Sequence, residues 1–406
     1  MSKKIPIPAG LMEEQHLTLE QPAKVQTRGQ KLFIGIPAEP SAEENRVALV
    51  PSNVAALTGH GHRVVVQSGA GRRAHYPDHA YSEAGAEIVQ SEEEVFKAEM
   101  IIKTAPPTLA ELDWMHPNQV LISPLHLPAV DRDFLEKLRS KRVIALAMEY
   151  IQDESGAFPV VRIMSEIAGI SAILTAAELL SRSNRGTGLL LGGISGVPPA
   201  KVVILGAGVV AEYAARAALG LGVEVRIFDN NIYKLMRLKH HIGQQVYTST
   251  LDPLILEQEL IDADVTIGAI HSKSGRTPII VSEEMVSKMK DGAVIVDVSI
   301  DQGGCFATSQ LTTHSKPSFV KHGVIHYGVP NIPSKVAKTA SASISNILTP
   351  LLMQVEAAHG IEALLYHSAG LRNGVYAYKG CITNHYLGEK FSLKITDLDL
   401  LLTSIF

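Results

Sequence analysis

Cysteine is nearly absent. Cys305 and Cys381 are the only two in 406 residues, which excludes a disulfide framework by count and fits a reducing compartment. Neither sign of charge dominates: 37 Lys and Arg face 41 Asp and Glu, a net charge of -4 at pH 7. The chain therefore carries no electrostatic footprint for nucleic acid or anionic lipid. Long apolar runs are missing as well, since no stretch of about 18 uninterrupted apolar residues occurs and no membrane span is expected. The nearest approach, "GLLLGGISGVPPAKVVILGAGVVAEYAA", is broken by Lys201, two prolines and many glycines. The start, "MSKKIPIPAGLMEEQ", has a short, proline-broken apolar stretch before Glu13, which makes a poor signal peptide. Metal-ligand spacing is lacking too. His240 and His241 are adjacent and point different ways on a helix, the cysteines are unpaired, and HExxH does not occur. A cytoplasmic soluble protein without a metal is expected.

What is present is burial potential and rhythm. A chain that is 46% hydrophobic and 19% charged belongs with well-buried globular proteins, and 406 residues exceed one ordinary core. Short apolar strands, "LFIGIP", "RVVVQ", "AEIV", "MIIK", "QVLIS" and "VIALA", alternate with helical stretches such as "SNVAALTGHG" and "PAVDRDFLEKLRS". The same rhythm restarts at residue 201 with "KVVIL", "VEVRIF", "DVTIGAI", "AVIVDVS" and "VIHYG". This alternation predicts βαβ units and parallel sheets covered on both faces. Between the two series, Ile167, Ile170, Leu174, Ala177 and Leu180 recur at helical spacing, with Gly186 as a C-terminal stop. A second long helix is expected over about 335–358. The fold class expected is α/β, two Rossmann-like doubly wound domains with a cleft between them. An N-terminal arm spans 1–30, a substrate and catalytic domain 31–158 plus 339–406, and a nucleotide-binding domain 159–338.

The sharpest motif is "KVVILGAGVVAEYAARAALGLGVEVRIFDNN". Gly206 permits a tight turn, Gly208 lets the backbone approach a pyrophosphate at a helix N-terminus, and small Ala211 allows close helix–strand packing. Asp229, at the end of the second strand, would accept hydrogen bonds from ribose hydroxyls and repel a 2′-phosphate, favouring NAD over NADP. Three strand ends of the first half present polar groups: Arg46, Lys103 and His126. Open α/β sheets bind ligands at that edge. An Arg there can grip a carboxylate and a His can transfer protons; each also reads as a surface cation, loop anchor or capping imidazole. "AVIVDVSIDQGG" puts Asp297 and Asp301 at another strand end, where Asp301 either faces the cleft or bonds its own loop.

Together these residues resemble the alanine dehydrogenase and nicotinamide-nucleotide transhydrogenase family, from about residue 31 into the tail. "GIPAEPSAEENRVALVP", "MSEIAG", "GAGVVA" and "IDQGGCF" look like its landmarks. "PLHLPA" and "SIDQGG" are similar to the catalytic motifs of its alanine dehydrogenase branch. The resemblance implies His126 and Asp301 as catalytic residues and Arg46 as the substrate carboxylate partner. It further implies NAD contacts at Ser165, Val209, Val210, Asp229, Lys234, Ile270, Asp301 and Asn331, and a homo-oligomer, hexamer or dimer. The activity implied is NAD-dependent, reversible oxidative deamination of L-alanine or a related small amino acid. The alternatives are an NAD(H)-binding protein with weak or no activity, or transhydrogenase-like hydride transfer. One departure stands out. That branch carries Lys-x-Lys-Glu-Pro where this chain has Lys103-Thr104-Ala105-Pro106-Pro107. Ala105 takes the place of the lysine that touches substrate. Lys103 matches the first, non-catalytic lysine and is the remaining cation assigned to substrate, but roughly 6.5 Å along the strand is long for direct replacement, and a working lysine is expected to be missing.

Overall fold

The computed structural model describes residues 29–403, apart from 128–129, 183–184 and 273–274. The arm expected over 1–30 therefore lies outside the described residues except at its last two positions. The first sheet has eight strands in the order β15-β14-β6-β5-β4-β1-β2-β3. Its members are β1 Phe33–Ile36, β2 Arg63–Gln67, β3 Glu87–Val89, β4 Met100–Ile102, β5 Val120–Ser123, β6 Ile144–Ala147, β14 Val375–Tyr378 and β15 Cys381–Ile382. The second sheet has seven, in the order β12-β13-β11-β10-β7-β8-β9. It comprises β7 Lys201–Leu205, β8 Glu224–Phe228, β9 Tyr247–Ser249, β10 Val265–Gly268, β11 Val294–Asp297, β12 Ser318–Lys321 and β13 Val324–Tyr327.

Pairing is parallel except where β12, β14 and β15 join. Strands β5, β6, β10, β11 and β13 are buried at every position, as a sheet covered on both faces requires. Successive residues of one strand enter different cores: Met100 and Ile102 pack in one cluster, and Ile101 packs in another. Both sheets reverse their direction of winding between the first and fourth strands, β1/β4 and β7/β10. Such a reversal leaves a crevice beyond the strand ends, and both crevices carry polar residues.

Helix α1, Pro159–Leu179, connects the two halves. It ends at Leu180, short of the Gly186 stop expected from sequence. Its buried face is also not the expected stripe. Ala168, Gly169, Ala172, Ile173, Ala176 and Leu179 are buried, while Ile170 and Leu174 are 42% and 56% exposed. Close packing explains the choice. A Cβ on Gly169 would come 2.4 Å from the Val210 carbonyl oxygen of helix α2, Val209–Gly220, so small residues bring the two helices together. By length and composition α1 is apolar enough to cross a membrane, yet this face is packed on α2 as a core helix. The second long helix forms as α3, Ala337–Ala357, and the tail returns β14 antiparallel against β6.

Candidate active site

Gly206 closes β7 at φ +113, and a Cβ there would strike the Ala269 carbonyl oxygen, 2.4 Å away across the β7/β10 crevice. Gly208 is the N-cap of α2 and offers no capping side chain, with open space where its Cβ would stand. The first amides of α2 thus remain available for an anion brought close to the backbone. Ala211 is fully buried beneath them, and Val209 and Val210 are half-buried on the first turn. Asp229 is 8% exposed. Its Oδ2 accepts the Ala207 N–H at 2.8 Å and its Oδ1 the Asn231 N–H at 2.7 Å. One carboxylate therefore ties the glycine turn to the next helix, and each oxygen keeps a second lone pair for a hydroxyl. The Ile270 N–H donates to the Ser299 hydroxyl at 3.0 Å. Lys234 is exposed; its charge adds to burial, the larger cause, in lowering the pKa of His271. Ser165 is half-buried on α1, next to Met164, whose sulfur lies 3.4 Å from Arg46 Nη1.

From the β1/β4 crevice comes Arg46, and Glu44 grips it. Nε donates to Glu44 Oε1 at 2.8 Å, and Nη2 donates to Oε2 at 2.5 Å. A further Nη2 bond reaches the Thr104 carbonyl at 3.3 Å. Glu44 Oε2 also accepts the Asn331 side-chain amide at 2.9 Å, so this pair links the β1 loop to the end of β13. Asn331 itself is left-handed at φ +55. Nη1 of Arg46 meets only a weak sulfur acceptor and is the least engaged end of the guanidinium.

Asp301 follows β11 and keeps an opening to solvent, although protein crowds it on its other sides. Burial raises its pKa above the ordinary aspartate value. The His126 charge, the Asn331 N–H and the Arg46 charge pull it back, and Asp297 adds to the rise. Groups from both sheets thus act on one carboxyl across the cleft. Asp297, by contrast, bonds its own loop: it accepts from Ser299 N, Cys305 N and the Ser309 hydroxyl at 3.0, 2.9 and 2.6 Å. It fixes the turn that carries Asp301. His126 is exposed to the cleft in a left-handed conformation at φ +48, in the turn after β5.

Lys103 differs from the expectation of a substrate contact. It is fully buried, with Nζ 2.9 Å from Glu39 Oε2 and 2.5 Å from Glu111 Oε1. Burial alone would depress its pKa; the two carboxylates overcome that and raise it. With two acids to one base, Glu39 is raised in turn, burial leading and Lys103 opposing. Glu39 Oε1 also accepts Thr104 N–H at 2.6 Å and Ala105 N–H at 3.2 Å. Lys103 therefore sits behind the wall of the crevice, holding the loop. Its partner Glu111 completes a capping box with Thr108, a Thr-x-x-Glu signal that was open to sequence reading. Glu44 and Glu149 were also missed. Glu149 follows an apolar strand end, as His126 does, and the same strand-end rule would have found it. Glu44 has no local signal. His241, at the end of the helix Ile232–Ile242, pairs with Glu212 at 3.0 Å. Among the described residues, no group of three or more His, Cys, Asp or Glu is placed to hold a metal ion.

Known proteins are similar to this chain in sequence and in fold. Residues 35–168 match the N-terminal domain of the alanine dehydrogenase/PNT family, and residues 172–385 match its C-terminal domain. The chain is 38% identical to alanine dehydrogenase 2 of Staphylococcus aureus (strain USA300) over 90% of this chain and 98% of that protein. A solved L-alanine dehydrogenase superposes with a TM-score of 0.84 at 38% identity, covering 88% of this chain and 99% of the other. A transhydrogenase structure from Sinorhizobium meliloti, 23% identical with a TM-score of 0.73 over 87% and 99% of the two chains, shares the fold. Matched across both domains and at this identity, the chain belongs to the alanine dehydrogenase/PNT family.

Proposed function

We propose that this chain is an NAD-dependent amino-acid dehydrogenase of the alanine dehydrogenase type. It would carry out reversible oxidative deamination of L-alanine, or a related small amino acid, to the oxo acid with release of ammonia. The observation that supports this reading most is the convergence of Arg46, His126, Asp301 and Asn331 from the carboxyl ends of both sheets. The bare N-terminus of α2, the Gly206 turn and Asp229 fit a dinucleotide, with Ser165, Val209, Val210, Lys234, Ile270 and Asn331 as further contacts. When bound, the nicotinamide supplies the hydride acceptor. Arg46 holds the substrate carboxylate through Nη1, the end that Glu44 leaves free. Loss of hydride from Cα leaves an iminium, water adds to it, and ammonia departs. His126 and Asp301 take and return the protons of these steps. A raised Asp301 suits this work, because it keeps a proton to higher pH than an ordinary aspartate.

NADH formation with L-alanine and a panel of small amino acids at alkaline pH tests the reading; no turnover with any of them overturns it. A second reading, an NAD(H)-binding protein with weak or no activity, draws on the loop. Ala105 offers no cation there, and Lys103 is consumed by Glu39 and Glu111. Tight NADH binding by calorimetry, with no turnover even in Ala105→Lys, selects it. Transhydrogenase-like transfer is the weaker alternative, because His126 and Asp301 are both present. We assign the protein to the cytoplasm, in keeping with its two unpaired cysteines, as a homo-oligomer acting on a small molecule. The domain boundaries we assign are 31–158 plus 339–406 for substrate and 159–338 for the nucleotide.

A further inference from the structure

The turn carrying His126 is held by a residue of the neighbouring strand. β6 ends at Ala147, and Glu149 follows in the short turn Met148–Tyr150. Its Oε1 accepts the Leu125 N–H at 2.8 Å and the His126 N–H at 3.2 Å. His126 is left-handed at φ +48, a conformation uncommon outside glycine that persists where its surroundings fix it. Two hydrogen bonds to a carboxylate do so here. Oε2 is shielded from solvent and has no partner of hydrogen-bond geometry. The hydroxyl of Tyr376, on β14, is likewise buried and unpartnered. Ser123 stands beside that phenol, but its own hydroxyl donates to the Pro124 carbonyl at 3.1 Å. Burial raises the pKa of Glu149, while its own amide, those of Leu125 and His126, and the His126 charge lower it. A carboxylate of this kind is costly to bury, and its position is explained by the turn it holds.

We propose that Glu149 is the positioning residue for His126, fixing the backbone of its turn so that the imidazole stands in the cleft facing Asp301. The inference rests on the reading of His126 as a proton-transfer group. Glu149 does not touch the substrate; it acts through the two amides. Gln keeps an oxygen for both amides, whereas Ala removes it. Near-attack geometry lost by about 1 Å lowers a rate by about 100-fold. The expected result for Glu149→Ala is therefore a fall in kcat of about 10- to 100-fold, with KM for pyruvate within about 3-fold of wild type. Glu149→Gln should retain kcat within about 3-fold, because both amides stay bonded.

Hydrogen–deuterium exchange of the peptide spanning 119–127, in full-length protein, gives a readout independent of turnover. Exchange should rise in Glu149→Ala and stay at the wild-type level in Glu149→Gln. Should Glu149→Ala not fold, Glu149→Met takes its place, filling similar volume with no acceptor. Wild-type kcat and protection in the Ala or Met variant overturns the proposal. So does a loss confined to KM, or a Gln variant as damaged as Ala. If the wild type turns over no amino acid, the proposed activity fails, and the exchange measurement alone still decides whether Glu149 holds the turn.

Discussion

Replacing Lys103 by Met separates a structural lysine from a substrate-binding one. The ammonium lies 2.9 Å from Glu39 and 2.5 Å from Glu111, with side chains 0%, 5% and 2% exposed. Met fills the tunnel of the alkyl stem but leaves two carboxylates facing each other out of water. Removing one partner of a buried ion pair costs about 3–5 kcal/mol, a large part of the 5–15 kcal/mol that holds a typical domain together. A change of 1 kcal/mol moves Tm by about 2–4 °C in a unit of 150–250 residues. Lys103→Met should therefore melt roughly 6–20 °C below wild type by differential scanning calorimetry. The triple variant Lys103→Met, Glu39→Gln, Glu111→Gln should recover part of the loss, since no unpaired charge is then left buried. Pyruvate KM in that variant should stay near wild type. A Lys103→Met protein with unchanged Tm and a much weaker grip on pyruvate would refute the reasoning and return Lys103 to the substrate site.

Arg46→Ala removes the cation assigned to the substrate carboxylate. Pyruvate KM should rise about 10- to 100-fold, the value of one charge-assisted interaction, and an unchanged KM removes Arg46 from the site. Asp229→Ala should narrow the preference for NADH over NADPH by removing both hydroxyl acceptance and phosphate repulsion; equal wild-type binding of the two by calorimetry counts against that role. His326 is buried in β13 between the Thr308 hydroxyl at 2.8 Å and the Val324 carbonyl at 3.0 Å, and burial lowers its pKa. The folded state thus favours the neutral ring, and the unfolded chain protonates first on acidification. The stability this confers is present above the unfolded histidine value, about 6.5, and is lost as pH falls through it. His326→Gln should flatten the decline in Tm between pH 8 and 5, and a parallel decline would assign it elsewhere.

Strand identity was legible because alternation and apolar runs are local properties. The strands read in both halves all form. Four others, β9, β12, β14 and β15, escaped: β9, β12 and β15 are short strands at sheet edges, and β14 is brought against β6 from far away in sequence. The face of α1 was misread because hydrophobic spacing marks large residues, while close helix packing selects small ones. The tight turn at Gly206 forms where it was read, with Asp229 bonded to it, because a close strand-to-helix turn needs particular residue types at fixed spacing. Lys103 was not legible in this way. A cation at a strand end looks the same in sequence whether it faces the cleft or turns back beneath it. The difference lies in Glu39 and Glu111, one of them 64 positions away.

The acidic residues explain how polar groups coexist so close to buried strand ends. Three polar elements at the first domain's edge are each bonded by a carboxylate: Arg46 by Glu44, Lys103 by Glu39 and Glu111, the His126 turn by Glu149. Parallel strands bring their ends together, but they do not fix side-chain directions. Carboxylates can, because each offers two oxygens and several lone pairs to donors on neighbouring loops. The same arrangement has an electrostatic consequence. Lys103 is more than neutralised by its two partners and contributes no net positive charge to the crevice. Arg46 shares its charge with Glu44, so the cation it presents to the crevice is partly compensated. On the proposed function, with Ala105 in the loop, affinity for a carboxylate would depend on Arg46 Nη1 and on how far Glu44 draws the guanidinium away.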